Sequence, residues 1–185
     1  MFFRDCNDVF SSNVEVVGAL APKLKILHTM TWLAPGGGAD QNVYLTIRGL
    51  KEEHEIHLAV GSEIHHNAFE GMCGIKFWVC PDLVRPIHPI KDIKAFWYFY
   101  LLIKAQRYDI VHTHETKSSL IARLAAYCAG CPYIIYGLHG VTFNDPLSRI
   151  RRAFYVWIER LTIGVSDLVV AVSQSVVDEY RGHGI

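Results

Sequence analysis

Short apolar runs rich in Val and Ile alternate along the chain with longer stretches whose apolar positions recur at helical spacing. The runs predict strands at Lys25–Thr29, Ile56–Val60, Ile75–Val79, Ile110–Thr113, Tyr133–Leu138 and Leu168–Val172. The longer stretches predict helices at Asp40–Lys51, Lys91–Gln106, Ser118–Ala129, Leu147–Ile163 and Ser175–Arg181. In the first helix Val43, Ile47 and Leu50 fall on one stripe, as a helix lying on a sheet requires. Strands that are apolar on both faces and separated by crossover helices imply a parallel sheet covered on both sides. The expected fold is therefore a doubly wound, Rossmann-like three-layer α/β domain from residue 23 to 185. Residues 1–22 lack periodicity and read as a tail or irregular extension. Gly61–Gly74, with His65, His66 and Gly71, reads as a loop with a short helix, and Pro81, Pro86 and Pro89 as an extended connection.

Composition narrows the partners. Lys and Arg together number 18, as do Asp and Glu, so no basic field is available to hold nucleic acid. The apolar fraction of 51% against 19% charged excludes disorder and leaves apolar surface to be covered by a partner or a membrane. Five scattered cysteines fit a reduced, cytoplasmic setting better than a disulfide framework. Arg4, Asp5 and Asp8 break what a secretion signal would need. Ala95–Ile103 (AFWYFYLLI) is bounded by Lys94 and Lys104, far short of the ~20 residues that span a bilayer.

In open α/β sheets ligands sit beyond the carboxyl ends of the strands, so chemistry is sought there. After the first strand, Ala34–Asp40 (APGGGAD) opens directly into a helix. Glycines let a phosphate approach the backbone, and the helix start offers unpaired N–H groups; a plain flexible turn is the alternative. The loop matches neither G-x-G-x-x-G nor a Walker loop. In residues 108–115 (YDIVHTHE) an extended chain projects His112 and His114 to one face, with Glu115 following at the mouth of the crevice. Two such imidazoles could bind a divalent metal or contact ligand hydroxyls. In residues 136–143 (YGLHGVTF) His139 stands between two glycines just past a strand, free to donate a hydrogen bond or act as acid or base. With His28 these make four imidazoles expected along one rim.

Two further features read otherwise. Cys128 and Cys131 form C-x-x-C at a helix end, the wrong terminus for a redox pair. Arg149, Arg151 and Arg152 with Phe154, Tyr155, Trp157 and Ile158 form either a solvated basic turn or a membrane-facing surface, and Lys91, Lys94 and Lys104 around the aromatic helix raise the same choice.

The glycine loop, the Asp-Ile-Val-His-Thr-His segment, the strand ending Leu-His-Gly and Ile158–Leu161 running on to Ser166–Ser173 (SDLVVAVS) occur in a telling order. Together they resemble the N-terminal domain of family-4 retaining glycosyltransferases of the GT-B fold. The resemblance implies an enzyme of two domains, the C-terminal one holding a nucleotide-sugar and the N-terminal one the acceptor. It places Gly37 and Gly38 near the donor diphosphate, His139 beside the transferred sugar, and His112, His114 and Glu115 on the acceptor side. Asp40 stands where many relatives have Glu. No metal or other cofactor is expected to be essential, because helix dipoles and basic side chains can stabilise the departing phosphate.

The family continues to a Pro-Asn-Gly turn and a domain with paired E-x7-E carboxylates, neither of which follows Ser173 here. The chain is accordingly expected to be an acceptor-binding half, inactive without a donor-binding domain or subunit, acting on a sugar or lipid-linked acceptor in the cytoplasm, with possible contact at the membrane face. The alternatives are a metal-dependent hydrolase using His112 and His114, and a non-catalytic sugar- or nucleotide-binding module.

Overall fold

The computed structural model describes residues 22–33, 36–64, 74–140 and 149–185. Its elements are β1 (Lys25–Leu33), α1 (Gly38–Leu50), β2 (Glu55–Ile64), β3 (Lys76–Val79), α2 (Pro89–Gln106), β4 (Ile110–His114), α3 (Thr116–Ala129), β5 (Tyr133–Leu138), α4 (Arg149–Thr162), β6 (Leu168–Ala171) and α5 (Gln174–Gly182). The six strands form one sheet in the order β3-β2-β1-β4-β5-β6, and every neighbouring pair is parallel. From β1 the chain winds first toward β3 and then returns to build β4, β5 and β6 on the other side. The β1/β4 pair is therefore the topological switch point, where such sheets open a crevice.

Alternation along the strands explains the layers. Leu27, Ala59, Val111 and Ile134 pack against Phe99 of α2 and Ala122 and Ala125 of α3. Residues of opposite parity, Ile26, Met30, Leu58 and Val60, pack against Val43 and Ile47 of α1. β1 and β2 are thus buried on both faces, which is why the sequence there shows apolar runs rather than alternation. Tyr136 and Leu138 make a smaller cluster with Val176 and Tyr180 of α5 and with Val156 of α4. Burying a side chain such as Leu27 or Val111 contributes about 2 kcal/mol.

Two aspartates pin the entering ends of the strands. The carboxylate of Asp109, just before β4, accepts from the Lys25 N–H at 2.7 Å, and that of Asp167, just before β6, accepts from the Ile134 N–H at 2.8 Å. The Asp-Ile-Val and Asp-Leu-Val-Val segments are therefore register devices, each tying one strand to its neighbour.

Every predicted strand and helix is present, with two corrections that affect the site. β1 runs to Leu33 rather than ending at Thr29, because its pairing with β2 resumes after an irregularity between Met30 and Trp32. His28 and Thr29 consequently lie inside the sheet. β2 likewise extends through Ile64, turning the first part of the expected Gly61–Gly74 loop into strand. Residues 1–21, 34–35, 65–73 and 141–148, with Cys6, Ala34, Pro35, Cys73, His65, His66, Gly71 and Leu147, lie outside the described residues. Among the described residues no helix is long and apolar enough to cross a membrane. Cys131 has its thiol pushed up by burial, the opposite of what redox chemistry needs.

Candidate active site

Because the sheet is parallel throughout, the loops after β1, β4 and β5 leave the same rim, and these three strands are adjacent. Gly37 and Gly38 follow β1, Glu115 follows β4 and His139 follows β5. Gly37, Gly38, Glu115 and His139 thus share one edge of one layer.

Register assembles the imidazoles. His28 of β1 is the Cα partner of His112 of β4, so their side chains point to the same face, and His114 lies two residues on with its ring 4.1 Å from that of His112. His114 is the Cα partner of Gly137. A Cβ at Gly137 would sit 2.8 Å from His114 Nδ1 and 3.2 Å from His139 Nε2, so only a glycine leaves those rings room to meet over β5. They meet at 2.8 Å, Nδ1 of His114 to Nε2 of His139, and His114 Nε2 lies 3.0 Å from His28 Nδ1. The result is a hydrogen-bonded file, His28–His114–His139, running from the sheet interior to the rim, with His112 packed beside it.

Burial keeps the file neutral. His28 is pushed down to about 3 by burial and then by His112, and His112 to about 4 by burial and then by His139. His114 is held well below the usual histidine range by burial and then by its three neighbours, and His139 is lowered by burial. A neutral imidazole carries one N–H and one lone pair, so the file can point in only two directions. If the protons point inward, His28 Nε2 becomes a buried N–H without a partner. If they point outward, His28 Nε2 is an unused lone pair and the N–H without a partner is that of His139 Nδ1, past the end of β5. Neither His28 Nε2 nor His139 Nδ1 has a protein partner. Either direction thus leaves one buried N–H unpartnered; the outward one places it on His139, the residue that follows β5, where an incoming group could complete it.

The remaining rim residues are placed by backbone constraints. Glu115 is the residue before α3, with φ of 62°, and its carboxylate accepts from the Thr31 N–H at 2.7 Å. That bond spans β1 and β4 just past the switch point. Burial raises the Glu115 carboxyl and the hydrogen bonds from Thr31 pull the other way. Gly36 has φ of +92°, a conformation suited to glycine, and α1 starts beyond Gly37 with no side-chain cap. The buried Asp40 carboxylate lies against Gly37.

His28, His112 and His114 each bring a ring nitrogen within 4.8 Å of the others, a spacing a divalent cation could bridge. At 3.0 Å, however, His28 Nδ1 and His114 Nε2 are closer than the roughly 3.3 Å edge of a tetrahedral site with 2.0–2.1 Å bonds, so an ion would have to replace their hydrogen bond. The sequence showed the four histidines; it gave no signal that Gly137 is what lets two of them join.

The sequence profile of Glycosyltransferase Family 4 matches residues 36–185. The chain belongs to that family. An 85-residue stretch is 36% identical to an Escherichia coli protein, UDP-Gal:alpha-D-GlcNAc-diphosphoundecaprenol alpha-1,3-galactosyltransferase, and covers 46% of this chain and 22% of that one. Among solved structures, the family 4 chain superimposes on the Anabaena protein HepE, determined with UDP and glucose, with a TM-score of 0.66 at 17% identity over 87% of this chain and 41% of HepE. The lipopolysaccharide outer core galactosyltransferase WaaB gives 0.60 at 16%, over 88% of this chain and 43% of WaaB. A UDP-GlcNAc 2-epimerase from Methanocaldococcus jannaschii, determined with UDP-GlcNAc and UDP, gives 0.60 at 16%, over 89% and 44%. These likenesses establish the GT-B half-fold. The chain spans less than half the length of each of these solved proteins, and its match covers 22% of the curated relative.

Proposed function

We propose that the family 4 chain is the acceptor-side lobe of a retaining glycosyltransferase that moves a sugar from a nucleoside-diphosphate sugar to an acceptor hydroxyl in glycan or glycolipid synthesis. The observation that carries this reading is the arrangement of one rim: an imidazole held by a file of two others, with one nitrogen left for a ligand, on the same edge as an uncapped helix start. Family membership supports sugar transfer, and the E. coli relative's name supports an acceptor carried on a diphospholipid. The free thiols Cys80, Cys128 and Cys131 are consistent with a cytoplasmic setting.

In this reading the bond from the anomeric carbon to the diphosphate oxygen breaks, a bond to the acceptor oxygen forms, and the acceptor's proton leaves with the diphosphate. The amides at Gly37 and Gly38 face the diphosphate, where aligned N–H groups offset developing negative charge. His139 gives its Nδ1–H to the sugar undergoing transfer. His112 and Glu115 border the acceptor. His114 has no exposed surface and both ring nitrogens engaged, so we assign it to holding His139 rather than to the acceptor contact its sequence position suggests. A donor-binding lobe must close over the rim, supplied by residues beyond these 185 or by a second subunit, and no bound metal is required.

The test is transfer from UDP-sugars by the chain joined to its donor-binding lobe, with His139→Ala expected to lower kcat by ~10². An unchanged kcat would reduce His139 to a structural residue, and transfer by the 185 residues alone would overturn the acceptor-lobe reading. The clustering of His28, His112 and His114 favours one competing reading, a metal-dependent hydrolase; stoichiometric zinc in protein purified without chelator would support it.

A further inference from the structure

α2 and α4, the helices flanking α3, expose apolar stripes that the fold does not use. Set opposite the buried residues of α2, namely Ala95, Phe99, Leu102 and Ile103, are Ile90, Ile93, Trp97 and Leu101, at helical spacing and all exposed, Trp97 by 53%. On α4 the same pattern recurs with Ile150, Phe154, Trp157 and Leu161, at i, i+4, i+7 and i+11; Ile150 is 83% exposed and Trp157 57%. α3 packs against both helices, so the two stripes lie in one layer. Beside the α4 stripe lies a cavity of about 290 Å³ lined by Phe154 and Ile158, by Leu120 of α3 and by Ile87 ahead of α2. Two regular stripes on one layer, with an apolar cleft beside one of them, are more than the single scattered apolar residues of an ordinary surface.

Charge is segregated onto the same layer. Arg85–Arg107, α3 and α4 hold eleven of the chain's 18 Lys and Arg residues and two of its 18 Asp and Glu. Both of those acids are spoken for: Asp92 pairs with Lys117 at 2.6 Å and Glu159 with the buried Arg123 at 3.2 Å. Lys94, Lys104, Arg149 and Arg152 stand exposed beside the stripes. A chain of zero net charge therefore presents one strongly positive, apolar, tryptophan-bearing face.

We propose that this face, the outer side of α2 and α4, docks on an anionic lipid bilayer. Apolar side chains enter the boundary of the acyl region, the two tryptophans sit at headgroup level, and the lysines and arginines meet lipid phosphates. Charge argues against a second copy as the occupant, because two-fold self-pairing would set the positive face against itself. The inference stands on exposure and charge alone and is independent of the sugar-transfer reading.

The test is co-sedimentation of the 185-residue chain with vesicles of phosphatidylcholine alone or mixed with phosphatidylglycerol, at low and high salt. The chain is expected to bind the mixed vesicles, to bind pure phosphatidylcholine at least tenfold more weakly, and to be released by salt. Replacing exposed residues should leave circular dichroism unchanged while Trp97→Glu, Trp157→Glu and the pair Arg149→Glu/Arg152→Glu each weaken binding about tenfold or more. Absence of binding to the mixed vesicles, equal binding to both kinds, or a dimer in sedimentation velocity that the same variants dissociate without any vesicle binding would overturn the proposal. None of these measurements uses sugar transfer, so either reading can fail without the other.

Discussion

Arg123 and His114 are both buried without exposed surface, and the surroundings built for them are opposite in kind. Arg123 is fully compensated. Its guanidinium bonds to the Ser119 and Thr162 carbonyls and to Glu159, and it lies 3.8 Å from the centre of the Tyr136 ring. Tyr136 in turn donates to Glu159 at 2.9 Å and reaches Tyr180. This network ties α3, β5, α4 and α5 together and leaves nothing for a ligand. The histidine file carries no charge and ends in nitrogens without partners, His28 Nε2 inside and His139 Nδ1 at the rim, with His112 Nε2 beside it. Buried polar groups are ordinarily satisfied, and on the acceptor-lobe reading proposed above a substrate group completes the cluster at the strand end. On that reading one cluster serves cohesion and the other recognition.

The sharpest way to break that contrast is on the Arg123 side. Arg123→Met removes the cation and leaves the Glu159 carboxylate 2% exposed and unpaired, which should cost about 3–5 kcal/mol in urea unfolding. Arg123→Lys should restore only part, since an ammonium cannot replace a planar guanidinium on the Tyr136 ring. If Arg123→Met is nearly neutral, the network is not the tie between α3 and α4 described above.

Acid separates the clusters next. In the unfolded chain a histidine titrates near 6.5, whereas native His28 and His112 titrate at about 3 and about 4. Between those limits the unfolded chain binds more protons, so stability is whole above pH 6.5 and falls as the pH drops toward 4. From pH 6.5 to 5 the loss is on the order of 2 kcal/mol for each of the two, read from urea midpoints. His28→Asn/His112→Asn should flatten that slope, and a wild-type slope in the double variant would contradict the neutral, buried file. In the assembled enzyme His114→Asn should lower kcat about tenfold with KM little changed, as expected for loss of one orienting hydrogen bond. A parallel rise in KM would instead place His114 against substrate.

How much of this was legible beforehand depended on the range over which each signal acts. The strand at Lys25–Thr29 and the helix at Ser118–Ala129 follow from local periodicity, and the shared rim follows from a parallel sheet. The end of β1 did not, because Met30–Leu33 stay extended through pairing with β2 across an irregularity that leaves no mark in composition. His28 was accordingly expected at the rim and lies within the sheet. The aspartates of the two Asp-hydrophobic motifs looked like family markers, and their work as acceptors for Lys25 and Ile134 appears only once the strands are side by side. The Arg123 network was invisible for the same reason: its members are spread from Ser119 to Tyr180.

The smallest expected effect probes the join between the two rings. Gly137→Ala would put a methyl 2.8 Å from His114 Nδ1 and 3.2 Å from both His139 Nε2 and the Thr113 carbonyl oxygen. The backbone of a central strand cannot retreat without disturbing both neighbours, whereas the imidazole rings can turn, so the rings should yield at about 1 kcal/mol of stability. What they lose is the 2.8 Å bond that fixes His139 in one tautomer. Nitrogen-15 NMR of the imidazoles should therefore show His139 protonated at Nδ1 in the wild type and a mixture of tautomers in the alanine variant. A wild-type signal for protonation at Nε2 would reverse the direction of the file and make His139 an acceptor at the rim. The two clusters would then still differ in cohesion, but the hydrogen bond offered to a substrate would have to come from elsewhere.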